Sequence, residues 1–246
     1  MDLVKVRNRK GDVMKKLGLV GGMGPESTIP YYHDIVYGVQ EKVGKDFFPN
    51  LTIESVNVFD VLKLCSEQKY DELTEYLMSA INNLINSGAD FIALSANTPH
   101  IVFDRLKEQS TVPLVSIIEA TKDEAVRLNK RKLGLFGTIF TKTGDFIKTP
   151  FQNSDIEIVV PTVEEMEFIN HKKSSELELG IVKEETLGGF QKIIERMKKE
   201  CGIEAIVLGC TELPLLLNDE VSAVPCLATM KIHINTLVEM IVEQIA

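Results

Sequence analysis

The sequence predicts an α/β fold made of two lobes related by a pseudo-two-fold, each a parallel sheet flanked by helices, with an active-site cleft between them. Three observations lead there. Short apolar, β-branched runs alternate with longer helical stretches along nearly the whole chain, which is the pattern of a parallel sheet covered on both faces. Gly88-Ala89-Asp90-Phe91-Ile92-Ala93-Leu94-Ser95-Ala96-Asn97-Thr98 aligns without a gap against Gly202-Ile203-Glu204-Ala205-Ile206-Val207-Leu208-Gly209-Cys210-Thr211-Glu212, and each copy is followed by a Val-Pro step, Val112-Pro113 and Val224-Pro225. Lys16-Leu17-Gly18-Leu19-Val20-Gly21-Gly22 matches Lys132-Leu133-Gly134-Leu135-Phe136-Gly137-Thr138 at nearly the same offset. Two repeats in one order indicate an internal duplication. A chain of 246 residues can bury a core in each of two lobes, expected to comprise residues 1–115 with 226–246, and residues 116–225.

The elements follow in order. Residues 1–14 are rich in Lys and Arg, end at a second methionine, Met14, and are read as a tail or a misplaced start, with no function assigned. A strand at 16–20 leads into Gly21-Gly22-Met23-Gly24-Pro25-Glu26-Ser27-Thr28 and a helix expected over 30–43. Glycines between a strand and a helix let backbone N–H groups approach an anion; a tight turn is the plainer reading, and the Gly-x-Gly-x-x-Gly fingerprint is not met. A strand at 52–58, a helix at 71–87, a strand at 91–94, a short helix at 101–109 and a strand at 114–117 complete the first lobe. The second is expected to run through a helix at 119–128, strands at 133–136 and 156–159, a helix at 184–199 and the strand around Ala205. A closing helix at 230–246 is expected to pack back on the first lobe. The polar run 164–178, with His171 inside it, reads as a solvated helix face, with a lid over the cleft as the alternative.

A net charge of -9 argues against nucleic-acid or anionic-membrane surfaces, both of which require clustered Lys and Arg. The apolar runs are too short to cross a bilayer and no h-region is present, so neither a membrane span nor a signal peptide is expected, and the cytoplasm is the default location. Cys65, Cys201, Cys210 and Cys226 form no Cys-x-x-Cys pair and do not cluster with the histidines. A structural metal site is therefore not expected, and the thiols are read as free.

The chemistry is expected at Cys210. It ends a buried strand beside Thr211 and Glu212, and open α/β sheets place their sites at the carboxyl ends of strands. As a thiolate it can serve as nucleophile or general base; the bland alternative is a buried small hydrophobe, which is the preferred reading for Cys65, Cys201 and Cys226. Asn97, Thr98, Thr138 and Thr211 are neutral donors of the kind that hold a carboxylate together with backbone N–H groups. His33 and His171 read as exposed helix residues, whereas His100 and His233 fall nearer the expected site.

These residues also carry a resemblance that covers nearly the whole chain from Lys16 on. The sequence resembles the aspartate/glutamate racemase family, in its aspartate racemase and broad-specificity amino-acid racemase branch. Residues Gly21 to Thr28 look like the amino-terminal signature of that branch, Leu208-Gly209-Cys210-Thr211-Glu212 like its second catalytic motif, and Gly137-Thr138 with Thr141 like its middle motif. The resemblance implies two α/β lobes, a homodimer, a small, preferably acidic amino-acid substrate and proton transfer at the α-carbon without PLP or any other cofactor. It implies Cys210 as the catalytic thiol, Met23, Asn97, Thr98, Thr138 and Thr211 around the substrate, and Glu212 and His233 in support.

Three positions depart from the family pattern. Ala96 stands where the first motif, Cys-Asn-Thr, has its cysteine. Ala228 replaces the acid of an Asp-Thr-x-x-x-His segment that Thr229 and His233 otherwise resemble, and Asn57 lies where an Asp is common. A racemase that keeps one of two cysteines is the favoured reading. The alternatives are a single-cysteine decarboxylase resembling arylmalonate decarboxylase and a non-catalytic amino-acid-binding paralogue.

Overall fold

The structure is a computed structural model and describes residues 14–137 and 145–243. In chain order its elements are β1 (Leu17–Gly21), α1 (Pro25–Val43), β2 (Leu51–Ser55), α2 (Val58–Ser66), α3 (Tyr70–Asn86), β3 (Phe91–Leu94), α4 (Phe103–Gln109), β4 (Leu114–Val115), α5 (Ile117–Arg127), β5 (Lys132–Phe136), α6 (Asp145–Gln152), β6 (Glu157–Val159), α7 (Val163–Ser175), α8 (Glu184–Arg196), β7 (Ala205–Leu208), β8 (Cys226–Ala228) and α9 (Thr229–Val242). Short 3-10 turns cover Thr98–Val102, Leu177–Leu179 and Leu213–Leu215.

The strands form two four-stranded sheets, ordered β2-β1-β3-β4 and β6-β5-β7-β8, with every pairing parallel. The central strands Leu17–Gly21 and Ala205–Leu208 are buried at every residue, which is why they read as continuous apolar runs rather than as alternating ones. The predicted duplication extends to individual hydrogen bonds. Asp90 N–H donates to Lys16 C=O at 2.8 Å and Glu204 N–H to Lys132 C=O at 2.8 Å. Ile92 N–H meets Pro113 C=O at 2.9 Å, as Ile206 N–H meets Pro225 C=O at 2.9 Å. Ahead of each Val-Pro step a serine hydroxyl returns to the backbone, Ser110 to Val112 C=O at 2.7 Å and Ser222 to Val224 C=O at 2.6 Å.

The chain divides into two compact units, with crossings at Ile117/Ile118 and Ile232/His233. The second crossing falls later than residue 226, where the sequence placed it, because Cys226–Ala228 pairs with β7 and completes the second sheet. Only from His233 onward does α9 belong with the first unit. There Leu17, Leu19, Ile35, Leu73, Leu77 and Ile81 are fully covered, so truncating one of them to Ala costs about 2–5 kcal/mol. Helix α1 contributes Tyr31, Ile35 and Val39 to that core, one turn apart on a single face.

Several bounds differ from the sequence reading, each for a local reason. Helix α1 starts at Pro25, where proline at the first helical position loses no intrahelical bond. Strand β2 stops at Ser55 because Asn57 caps a helix that the sequence reading missed, its side chain accepting from Phe59 N–H at 3.1 Å. Helix α8 ends at Arg196 and widens into a π turn over Met197–Cys201. The run 164–178 is mostly helix α7, opened by a capping box between Thr162 and Glu165. No helix among the described residues is long and apolar enough to cross a membrane.

Candidate active site

In the first unit, two loops leave the carboxyl ends of adjacent strands. After β1 the chain passes through Gly22, at φ +78, where a β-carbon would lie 2.3 Å from Val56 C=O. Only glycine fits that approach. Gly22 N–H donates to Thr28 Oγ1 at 2.9 Å, and the Thr28 hydroxyl donates to Gly24 C=O at 3.0 Å. The turn is thereby closed on itself, with Met23 half-buried at its tip. Thr28 Oγ1 also lies 3.5 Å from Ser95 Oγ, which links this turn to the loop after β3.

That second loop carries Ala96, Asn97 and Thr98. Asn97 is buried and Thr98 half-buried, and Pro99 in the first turn of Thr98–Val102 fixes the backbone beyond them. Below them lies His100, which is 3% exposed. Ile117 N–H donates to its Nε2 at 3.2 Å, so the ring proton sits on Nδ1, which donates to Ala96 C=O at 3.0 Å. His233 has the opposite tautomer. The Tyr31 hydroxyl donates to its Nδ1 at 2.7 Å, and Nε2–H donates to Val115 C=O at 3.2 Å. Burial pushes His100 down to about 4 and His233 to about 3, the second also through the field of His100. Both rings are therefore neutral braces: His100 ties the loop to the chain beyond β4, and His233 joins α1 to β4 and has no ring nitrogen left over for a substrate.

The second unit places Cys210 at the end of β7. Gly209 N–H extends the sheet to Phe136 C=O at 2.7 Å, the counterpart of Ser95 N–H on Val20 C=O at 3.0 Å. A β-carbon on Gly209 would sit 3.0 Å from Phe136 C=O, so this strand exit is tighter than the one at Ser95. Cys210 is 6% exposed and caps an apolar cluster that includes Ile169, Leu177, Leu208 and Leu213. The burial weighed as the bland alternative is therefore real. Thr211 and Glu212, next in the chain, are half-buried, and the Thr211 hydroxyl donates to Glu212 Oε1 at 2.8 Å. Thr138 and Thr141, the middle motif, lie outside the described residues.

One residue near this thiol escaped the sequence reading. Lys173, on α7, keeps 16% side-chain exposure and donates to Glu178 Oε1 at 2.6 Å. Burial acts to lower its pKa, but the Glu178 hydrogen bond and the charges of Cys210, Glu178 and Glu212 outweigh it, and the net direction is upward. Lys173 thus belongs to the surroundings of Cys210. Its only sequence signal was a basic residue four positions after an apolar one, Ile169, within a polar run. Asn57 caps α2, and the Thr229 hydroxyl donates to Leu208 C=O at 3.1 Å. Elsewhere, burial pushes the Cys65 thiol up to about 11 and also raises Cys226.

Comparison with known proteins places the fold. Among curated relatives, a glutamate racemase of Corynebacterium kroppenstedtii is 28% identical over 148 residues, 59% of this chain and 50% of that protein. The broad specificity amino-acid racemase RacX of Bacillus subtilis is 28% identical over 118 residues, 44% of this chain and 48% of that protein. The chain thus spans about half the length of the curated relatives it matches. Among solved structures, an aspartate racemase homologue from Pyrococcus horikoshii is 36% identical with a TM-score of 0.84, over 94% of this chain and 100% of that one. A Picrophilus torridus aspartate racemase shares the fold at 18% identity and a TM-score of 0.72, over 94% of this chain and 96% of that one. The family model for Asp/Glu/Hydantoin racemases matches residues 20–237, and with the duplicated sheets and the loops at their strand ends this chain belongs to that family.

Proposed function

We propose that this chain is an amino-acid racemase of the aspartate/glutamate type that works without PLP or another cofactor, with Cys210 as the thiol that takes and returns the α-proton. The carrying observation is the chemical inequality of two equivalent loops. One ends in Cys210-Thr211-Glu212 beside Lys173; the other ends in Ala96-Asn97-Thr98. In the forward step the thiolate forms an S–H bond as the substrate Cα–H bond breaks. The electron pair moves onto the substrate carboxylate, where neutral donors stabilise the developing charge.

Asn97, Thr98 and Thr211 supply such donors, with Thr138 and Met23 completing the substrate contacts. Glu212 and His233 act in support. Ala96 has no proton to give, so on that face the carbanion is protonated by water. Exchange of the α-proton is then faster than inversion. Acidic amino acids are favoured because the relatives include glutamate racemases and an aspartate racemase homologue. A homodimer and a cytoplasmic location go with the family reading.

Ala96 also favours a second reading, a single-thiol enzyme that protonates a carbanion left by decarboxylation. Such a site requires an apolar pocket for the departing carboxylate, and the polar donors around Asn97 and Thr211 count against it. Incubation in D2O with each enantiomer of aspartate, glutamate and a neutral amino acid tests the proposal. Deuterium at the α-carbon supports it, and exchange outrunning inversion supports the one-thiol form. No exchange with any of them overturns it in favour of an amino-acid binder.

A further inference from the structure

On α7, Ile169 and Lys173 lie one turn apart on the same face. Ile169 is 1% exposed in the apolar cluster that Cys210 caps, and Leu177, also 1% exposed, joins the same cluster from the turn after α7. The stem of Lys173 therefore runs beside that cluster and brings its ammonium into the fields of Cys210 and Glu212. From the far side of Leu177, Glu178 reaches the same ammonium at 2.6 Å while keeping 42% side-chain exposure.

Glu178 is not carried by a loose segment. Two residues earlier, Glu176 accepts from Lys172 Nζ at 2.7 Å and Lys183 Nζ at 3.2 Å, and from the Thr186 hydroxyl. These bonds, that from Lys172 first, hold its carboxyl down to about 2, so Glu176 stays ionised and the staple stays closed at any ordinary pH. Lys172 and Lys183 are thereby occupied by Glu176, and Glu200 with Glu165 occupies Arg196. Among the described residues, the charges placed together with the sulfur include Glu212 from its own loop, Lys173 from α7 and, through Lys173, Glu178. A carboxylate two residues from a thiol opposes its ionisation, and a nearby ammonium favours it.

We propose that Lys173 is the counter-ion of the Cys210 thiolate, and that Glu178, by pairing with the same ammonium, meters how much of its charge reaches the sulfur. Both are positioning residues, since they act through the sulfur. The inference rests on Cys210 as the working thiol of the proposed racemase, but it concerns ionisation and not turnover.

The test is a pH titration of thiolate ultraviolet absorbance, taken as the difference between chains with and without Cys210→Ser, so that no reagent has to reach the sulfur. It is run on the full chain and in Lys173→Met and Glu178→Gln backgrounds. Lys173→Met moves the midpoint up by about one unit, an about tenfold loss of thiolate at neutral pH, and Glu178→Gln moves it down by a fraction of a unit. Opposite shifts support the proposal. Shifts in the same direction, or none, overturn it, since a merely structural disturbance has no reason to respond to the sign of the charge. Opposite shifts in a chain that exchanges no α-proton count against the racemase reading alone; unmoved midpoints in a chain that does exchange count against this inference alone.

Discussion

The loops Ser95-Ala96-Asn97-Thr98 after β3 and Gly209-Cys210-Thr211-Glu212 after β7 leave their sheets through equivalent backbone bonds, Ser95 N–H to Val20 C=O and Gly209 N–H to Phe136 C=O. They diverge in what surrounds them. Beneath the first lie two buried imidazoles held neutral by burial, with Tyr31 as a further hydroxyl. Around the second are a thiol, a carboxylate and a half-buried ammonium. A duplicated scaffold has thus been divided, with one loop built from fixed neutral donors and the other from groups that gain and lose charge.

The sharpest way to break this contrast is to remove the ionisable side. Cys210→Ala is expected to lower α-proton exchange by about 10³-fold, within the range of a positioned acid–base group, while the thermal midpoint changes little. Exchange that persists in this variant would place the base elsewhere. His100→Leu attacks the neutral side. It leaves Ile117 N–H and Ala96 C=O without their buried partner, at about 1–3 kcal/mol for each orphaned group, read as a lower denaturation midpoint.

Acid titration sharpens the same point. His100 and His233 have folded values near 4 and 3 against an ordinary 6.5. Their contribution is complete above about pH 6.5 and is lost as the unfolded chain takes up protons that the folded one refuses. Stability is expected to fall by roughly 2.7 kcal/mol per pH unit for the pair between about 6.5 and 4, as followed by denaturant melts. His100→Leu should halve that slope; an unchanged slope would mean that the imidazoles are not held neutral. The smallest effect expected is from a thiol placed on the first loop: Ala96→Cys raises inversion relative to exchange by about tenfold, short of an evolved acid–base group.

Much of this architecture was legible in the sequence because it repeats. The paired runs around Leu94 and Leu208 marked a central strand of each sheet, since a strand buried on both faces reads as an unbroken apolar run. The position of Cys210 just past a strand end was legible too. What stayed hidden depends on side chains meeting across long separations. Tyr31 and His233 are far apart in the chain yet bonded, and no periodicity marks such a pair. Lys173 looked like one more charge on a solvated helix because only the packing of Ile169 and Leu177 onto the Cys210 cluster turns that face inward. Helix α2 was missed because a single cap, Asn57, decides where β2 stops, and the return to the first unit was set early because β8 is only three residues long.

The account turns on one working sulfur, and the most direct test is deuterium incorporation at the α-carbon of an acidic amino acid measured together with chirality, in the unaltered chain and in Ala96→Cys. Exchange clearly faster than inversion in the first, with the gap narrowing in the second, is the predicted result. Equal rates of exchange and inversion in the unaltered chain would contradict it, because a full second acid would then be at work on the face where Ala96 stands.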